Sequence, residues 1–103
     1  MHTGSFFADA APPRSGERFE TILHHRNLVI ERVVSSSKTS PEEYLQRQDE
    51  WVLLVEGEAV LQVAGETVAL KRGDYLFLPA ETPHRVVSTS EGALWLAVHL
   101  HPE

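Results

Sequence analysis

Short apolar segments of strand length follow one another along the second half of the chain. They are EWVLLVE, EAVLQVA, ETVALK, DYLFLPA, HRVVSTS and ALWLAVHL, and turn-forming pairs such as Glu56-Gly57 and Arg72-Gly73 separate them. Such a succession is typical of antiparallel sandwiches and barrels. A further strand is predicted over residues 28–35, where β-branched residues dominate before a serine run. Only PEEYLQRQ suggests a helical turn, so the pattern predicts an all-β domain.

The beginning of the chain has a different composition. Residues 1–19 are mostly small or polar and contain two prolines, without strand or helix periodicity. We expect residues 1–19 to form a short irregular N-terminal arm. Residues 20–103 are expected to form one β-barrel domain, since a chain of 103 residues fits a single core.

The segment EWVLLVE is apolar on both of its faces. Val52 and Leu54 lie on one side of an extended chain, and Trp51, Leu53 and Val55 lie on the other. Strands of this kind have both faces covered. We therefore expect the outer face to meet a second copy of the chain, which predicts a homodimer. The alternative is that the N-terminal arm covers this face.

Composition excludes several classes of protein. Nine Lys and Arg against fifteen Asp and Glu give a net charge of -6, which would repel a nucleic-acid backbone. The chain has no cysteine, so a metal ligand must be histidine, carboxylate or amide oxygen. No apolar run approaches the roughly 20 residues that cross a bilayer, and the start lacks the charged region of a signal peptide. We expect no membrane partner and a cytoplasmic location.

The segment GDYLFLPAETPH, residues 73–84, carries the most informative motif. It resembles the second motif of the cupin superfamily, G-x5-P-x-G-x2-H-x3-N, with Gly73, Pro79 and His84 in register. Glu81 stands at the position of the motif's second glycine, and Ser88 stands at the position of its asparagine.

The segment upstream is similar to the first cupin motif, G-x5-H-x-H-x3-4-E-x6-G. Glu50 and Gly57 keep the required spacing, whereas Tyr44 and Gln46 replace the two histidines. Some small bacterial cupins also share Q-x3-E-W-V, G-D-Y-L-x-x-P-A and W-L-A-V-H with this chain. Most of them are uncharacterised, and sugar-phosphate isomerase labels have been given to some by similarity.

The resemblance implies a double-stranded β-helix, the jelly-roll barrel of cupins. It also implies that His84 enters the barrel from a strand facing Glu50. In an extended chain Gln46, Gln48 and Glu50 share one side, with Tyr44 as a further member of that side.

Imidazole, carboxylate and amide donors suit a divalent ion of intermediate hardness, so Gln46, Glu50 and His84 are the candidate ligands of Mn, Fe, Ni or Zn. Three protein ligands leave positions open for water or substrate. Tyr44 is then a candidate catalytic acid or base.

The last strand leaves two orientations open. Leu94, Leu96, Val98 and Leu100 form one face of ALWLAVHLH, and Trp95, Ala97, His99 and His101 form the other. If the aliphatic face packs in the core, the histidines point away from the pocket. The converse orientation brings Trp95 and His99 into the pocket lining, together with Gln48.

Three functions are consistent with these residues. The first is a metal-dependent enzyme of the dioxygenase or sugar-phosphate isomerase type, acting on a small molecule. The second is a non-catalytic cupin that holds a small ligand through Gln46, Gln48 and His84 without metal. The third is a structural or sensory dimer with a vestigial pocket.

Overall fold

In the residues that the structure describes, the strands pair only in the antiparallel sense. The computed structural model describes Met1 and residues 3–103, and none of these residues lies in an α-helix. The strands are β1 Glu17–His25, β2 Leu28–Ser35, β3 Asp49–Glu56, β4 Glu58–Val63, β5 Glu66–Lys71, β6 Tyr75–Leu78, β7 His84–Thr89 and β8 Ala93–Leu100. The strand predicted over 28–35 is β2. The sequence pattern did not predict β1, which begins at Glu17 inside the segment expected to be an irregular arm.

Two sheets form the barrel. One has five strands in the order β1-β2-β8-β3-β6, and the other has three strands in the order β5-β4-β7. The C-terminal strand β8 lies between β2 and β3, so the middle of the larger sheet joins segments far apart in sequence. This is the predicted jelly roll.

The part of the interior between β3, β4, β5 and β8 is closed by aliphatic packing. Its centre is Leu54, which is completely buried, together with Ala59, Leu70 and Ala93. At the turn between β3 and β4, Gly57 has a φ of +98°, and a Cβ there would lie 2.6 Å from Ser90 Oγ and 3.0 Å from Ala93 Cα. The position requires glycine because both its backbone conformation and its surroundings exclude a side chain. We call Leu54, Ala59, Leu70 and Ala93 the closed core.

The last strand resolves the orientation that the sequence left open. Trp95, Ala97 and His99 of β8 face the interior, where all three are buried. The aliphatic residues of β8 that alternate with them face outward. The interpretation in which the aliphatic face forms the core is therefore wrong, because both faces of this central strand are apolar and hydrophobicity alone does not distinguish them.

The N-terminal arm lies against β1 and β2. The guanidinium of Arg32, which is buried, donates to the backbone carbonyls of Phe6 and Ala8 and pairs with Glu20. Arg18 donates to the carbonyls of Asp9 and Ala11, at 2.8 and 2.9 Å. Within the described part of the chain, these hydrogen bonds tie the arm to β1 and β2 and not to Trp51 on β3.

The structure contains no helix, in the residues it describes, of the length and hydropathy needed to cross a membrane. The cytoplasmic location stays a prediction.

Candidate functional site

A cavity of about 100 Å³ opens between the two sheets. Aliphatic side chains form much of its wall, and Phe19, Tyr44 and Trp95 add aromatic surface. The polar side chains of this wall are Glu17, Glu31, Tyr44, Gln46, Glu50, His84 and His99. An apolar cavity with a few convergent polar groups is the usual form of a small-molecule site.

Glu50 is the centre of the polar groups. Its Oε1 accepts a hydrogen bond from Gln46 Nε2 at 2.9 Å and lies 3.8 Å from His84 Nε2. Its Oε2 lies 3.8 Å from His99 Nε2. The side chains of Glu50 and His84 are 12% and 11% exposed, so this carboxylate stands between two buried imidazoles.

The backbone around His84 fixes the orientation of its ring. Tyr44 and His84 form an isolated antiparallel bridge, and their rings stack with centroids 5.6 Å apart. His84 Nδ1 is 3.0 Å from the carbonyl oxygen of Thr82. Because a carbonyl only accepts, Nδ1 carries the proton and donates it. The lone pair of neutral His84 is then on Nε2, the atom that faces Glu50.

His99 has hydrogen-bond partners at both ring nitrogens. Its Nε2 lies 2.9 Å from Glu31 Oε1, and its Nδ1 lies 3.3 Å from Gln48 Nε2. Burial lowers the pKa of His99, but the hydrogen bond to Glu31 and the charges of Glu50 and Glu31 outweigh it, so the pKa is raised. His99 is a lining residue held in place by Glu31, and Gln48 contacts it without lining the cavity.

Tyr44 and Gln46 are positioned by the loop that precedes β7. Gln46 accepts a backbone hydrogen bond from Glu81 at 2.7 Å. Glu81 has a φ of +64°, the left-handed conformation that glycine adopts without strain, which explains the glycine in the cupin motif at this position. Burial, followed by the charges of Glu17, Glu42 and Glu50, raises the pKa of Tyr44 to about 12. At neutral pH the hydroxyl of Tyr44 therefore keeps its proton and can donate a hydrogen bond.

Sequence reasoning missed three polar or aromatic lining residues, namely Glu17, Phe19 and Glu31. Glu17 and Phe19 belong to β1, and Glu31 belongs to β2. The available signal was the alternation in the predicted strand 28–35, where Glu31 and Val33 share one side. A glutamate in the middle of such a strand indicates a polar site on the covered side.

The donor types fit a divalent ion, and the structure brings the side chains of Gln46, Glu50 and His84 together. Among the described residues, no group of three or more His, Cys, Asp or Glu is arranged to hold a metal ion. Two ligands of one ion lie roughly 3.4 Å apart for tetrahedral bonds of about 2.1 Å, close to the 3.8 Å between Glu50 Oε1 and His84 Nε2. Gln46 presents its Nε2 to Glu50, so its oxygen would become a donor only after the amide rotates.

The chain belongs to the cupin superfamily. The family model of the cupin domain matches residues 29–99. An uncharacterized protein of Streptomyces coelicolor is 30% identical over 81 residues, which are 79% of this chain and 77% of that protein.

Solved structures share the fold. The crystal structure of a candidate mannose-6-phosphate isomerase from Ralstonia eutropha has a TM-score of 0.86 and 34% identity, and the match covers 99% of this chain and 100% of that one. An RmlC-like cupin from Shewanella frigidimarina has a TM-score of 0.76 at 18% identity, covering 86% and 79% of the two chains. The predicted cupin barrel is confirmed.

Proposed function

We propose that this cupin binds a small molecule in the barrel cavity, with the Glu50–His84 pair at the polar end. The observation that carries the proposal is the cavity of about 100 Å³, in which apolar and aromatic walls lead to buried polar groups. His84 Nε2 can accept a hydrogen bond from a ligand, and the hydroxyl of Tyr44 can donate one. These two groups, together with the carboxylate, fix the orientation of a ligand.

The two tryptophans of the chain allow a direct test. Trp95 lines the cavity, whereas Trp51 lies on the opposite face of the larger sheet. We expect titration with 1-butanol, a small neutral probe, to shift the indole N–H signal of Trp95 in NMR spectra and to leave that of Trp51 unchanged.

A blocking variant and a matched control complete the test. Ala97→Leu puts a larger side chain into the cavity wall and should abolish the Trp95 shift. Ala69→Leu makes the same change on the exposed side of β5 and should leave the shift intact. Equal shifts in both variants, or no Trp95 shift in the wild type, would refute binding in this cavity.

A metal site is the second candidate. It is favoured by the 3.8 Å separation of Glu50 Oε1 and His84 Nε2 and by the lone pair of neutral His84 on Nε2. These residues would hold a divalent ion such as Mn, Fe, Ni or Zn, with Gln46 as a third donor. A bound ion supplies a Lewis acid for a ligand oxygen. A dioxygenase or sugar-phosphate isomerase activity depends on this candidate.

Calorimetric titration of untagged protein with Zn²⁺ and Mn²⁺ tests the metal. We expect one ion per chain, and Glu50→Gln should weaken binding by more than about 10-fold, since even outer-shell partners contribute that much. Glu66→Gln on exposed β5 is the charge-matched control. Absence of stoichiometric binding removes the metal candidate and leaves the small-molecule proposal to the butanol titration.

A further inference from the structure

The charge of the cavity wall is one-sided. Among the described residues that line the cavity, three are glutamates, namely Glu17, Glu31 and Glu50, and none is lysine or arginine. Nearby arginines have partners elsewhere, because Arg32 pairs with Glu20 and Arg85 donates to Gln62 at 2.8 Å. Glu31 has a partner in His99. No lysine or arginine among the described lining residues balances Glu17 and Glu50.

Glu17 has a free oxygen. Ser35 Oγ donates to Glu17 Oε2 at 2.7 Å, and the indole Nε1 of Trp95 donates to Ser35 Oγ at 3.0 Å. No described residue donates to Oε1 of Glu17. Among the described residues, every fully buried side-chain nitrogen or oxygen has a hydrogen-bond partner, so the unpartnered Oε1 is not fully buried. Because Glu17 lines the cavity, this oxygen borders the open space.

The neighbouring groups respond to the same negative potential. Burial raises the pKa of Glu17; the hydrogen bond from Ser35 and the charge of His84 lower it, and the charge of Glu50 adds to the increase. Glu17 and Glu50 also contribute to the raised pKa of Tyr44. Two carboxylates on one poorly hydrated wall favour a cation and repel an anion.

We propose that the ligand of this cavity is a small organic amine, bound as its ammonium ion against Glu17 and Glu50, and that the cavity rejects anions. The aromatic wall of Phe19, Tyr44 and Trp95 suits the ammonium ion through cation–π attraction, and the aliphatic wall suits its hydrocarbon part. This inference rests on the proposed small-molecule function. It sets the chain apart from a sugar-phosphate site, since a phosphate would meet carboxylates without a lysine or arginine.

Three probes of one size test the charge preference. n-Butylamine, 1-butanol and butyrate differ mainly in the charge of the terminal group, and the Trp95 indole signal reports binding of each, with Trp51 as the internal reference. At neutral pH we expect butylamine to bind more tightly than butyrate by about 100-fold or more. Glu17→Gln should weaken butylamine about 10-fold, the loss of a charged hydrogen bond, and leave butanol unchanged.

Glu66→Gln removes one negative charge, as Glu17→Gln does, but on the exposed part of β5. It should leave butylamine affinity unchanged. Butyrate affinity equal to that of butylamine would overturn the amine inference while leaving the cavity function intact. No Trp95 shift with any probe would overturn both. An equal loss of butylamine affinity in the Glu17 and Glu66 variants would also overturn the inference, because a general charge effect would then explain it.

A second inference concerns the outer face of the five-stranded sheet. One row of paired residues crosses all five strands, from Phe77 through Trp51, Val98 and Ile30 to Leu23. Tyr75 and Phe77 at the β6 edge are 67% and 55% exposed, and Trp51 and Tyr75 pack with ring centroids 5.7 Å apart. An exposed apolar surface of this extent marks an interaction site.

Charge and the position of the exposed aromatic residues both suit a second copy of the chain. The N-terminal arm covers the part of this face at Arg32, which is 5% exposed and donates to the carbonyls of Phe6 and Ala8, so the free part of the face lies on β3 and β6. The charged residues of the five strands on this side are Arg18 and Arg32 against Glu20, Asp49 and Glu56, and Glu56 pairs with Arg72 at 3.2 Å. A chain of net charge -6 can therefore approach its copy through a face without net charge.

We infer that the chain forms a homodimer through this face. Sedimentation at micromolar concentration should give twice the 11.5 kDa of one chain. Phe77→Glu should shift the protein to monomer, whereas Val87→Glu, an exposed position on the smaller sheet, should remain dimeric. A monomeric wild type would overturn the inference, as would a dimer that survives both Phe77→Glu and Trp51→Glu.

Discussion

The closed core and the cavity use the same strands for different purposes. Along the inner side of β3, Glu50 reaches the cavity, Val52 forms its wall, and Leu54 is completely buried in the closed core. Along β8, His99, Ala97 and Trp95 line the cavity and Ala93 belongs to the closed core. Four residues along β3, about 13 Å, separate the polar group of Glu50 from the dry packing at Leu54.

The comparison shows how a small barrel divides its interior between stability and binding. Aliphatic packing in the closed core stabilises the fold. The cavity contains buried carboxylates, whose desolvation costs stability unless a partner compensates. We therefore expect substitutions in the closed core to destabilise the fold without affecting the site. Some substitutions in the cavity should instead stabilise the fold and weaken ligand binding.

The largest effect is expected in the closed core. Leu54→Ala should lower the free energy of unfolding by about 2 to 5 kcal/mol, because a fully buried side chain leaves a void that the sheets fill only partly. Urea denaturation measures the loss, and Leu45→Ala, at an exposed leucine, should change stability by less than about 0.5 kcal/mol. A similar loss in both variants would contradict the division of the interior.

The next effect has the opposite sign and lies in the cavity. Burial raises the pKa of Glu17, so the folded state favours the neutral carboxyl. The contribution of the neutral Glu17 carboxyl to stability is present below the ordinary pKa of 4.5 and is lost as pH rises through the raised pKa of the folded state. Glu17→Gln keeps the shape of the neutral form and should be more stable than the wild type at neutral pH.

Urea denaturation between pH 4 and pH 7 tests this expectation. The stability difference between Glu17→Gln and the wild type should increase with pH. A variant that is destabilised equally across this range would show that Glu17 acts through packing and not through its charge.

Much of the fold could be predicted from the sequence, because turns and apolar segments mark β2 to β8 separately. The first strand was missed because its segment, ERFETILHH, is at the edge of a sheet and largely exposed, so it lacks a strong apolar pattern. Missing β1 also concealed Glu17, the carboxylate that gives the cavity much of its charge.

The candidate site was predicted less completely for a physical reason. The spacing of Glu50 and His84 was recognisable through the cupin motifs, but local spacing cannot identify which face of β8 lies inside. Pairing between β2 and β8 brings Glu31 next to Ala97 and orients His99 toward the cavity. Such contacts depend on register between strands 68 residues apart, as in the hydrogen bond of His99 to Glu31.

The smallest effect is expected in the pKa of His99. Its pKa is raised although burial opposes the shift, because Glu31 accepts its hydrogen bond and Glu50 and Glu31 add negative charge. The contribution of this raised pKa to stability is present below the ordinary value of 6.5 and is lost as pH rises through the folded-state value.

NMR titration of the His99 ring should therefore give a midpoint above 6.5. Glu31→Gln should lower that midpoint, and Glu66→Gln, far from the cavity, should not. An unchanged midpoint in Glu31→Gln would mean that the carboxylate does not hold the proton on His99, and the electrostatic contrast between the cavity and the closed core would then rest on Glu17 and Glu50 alone.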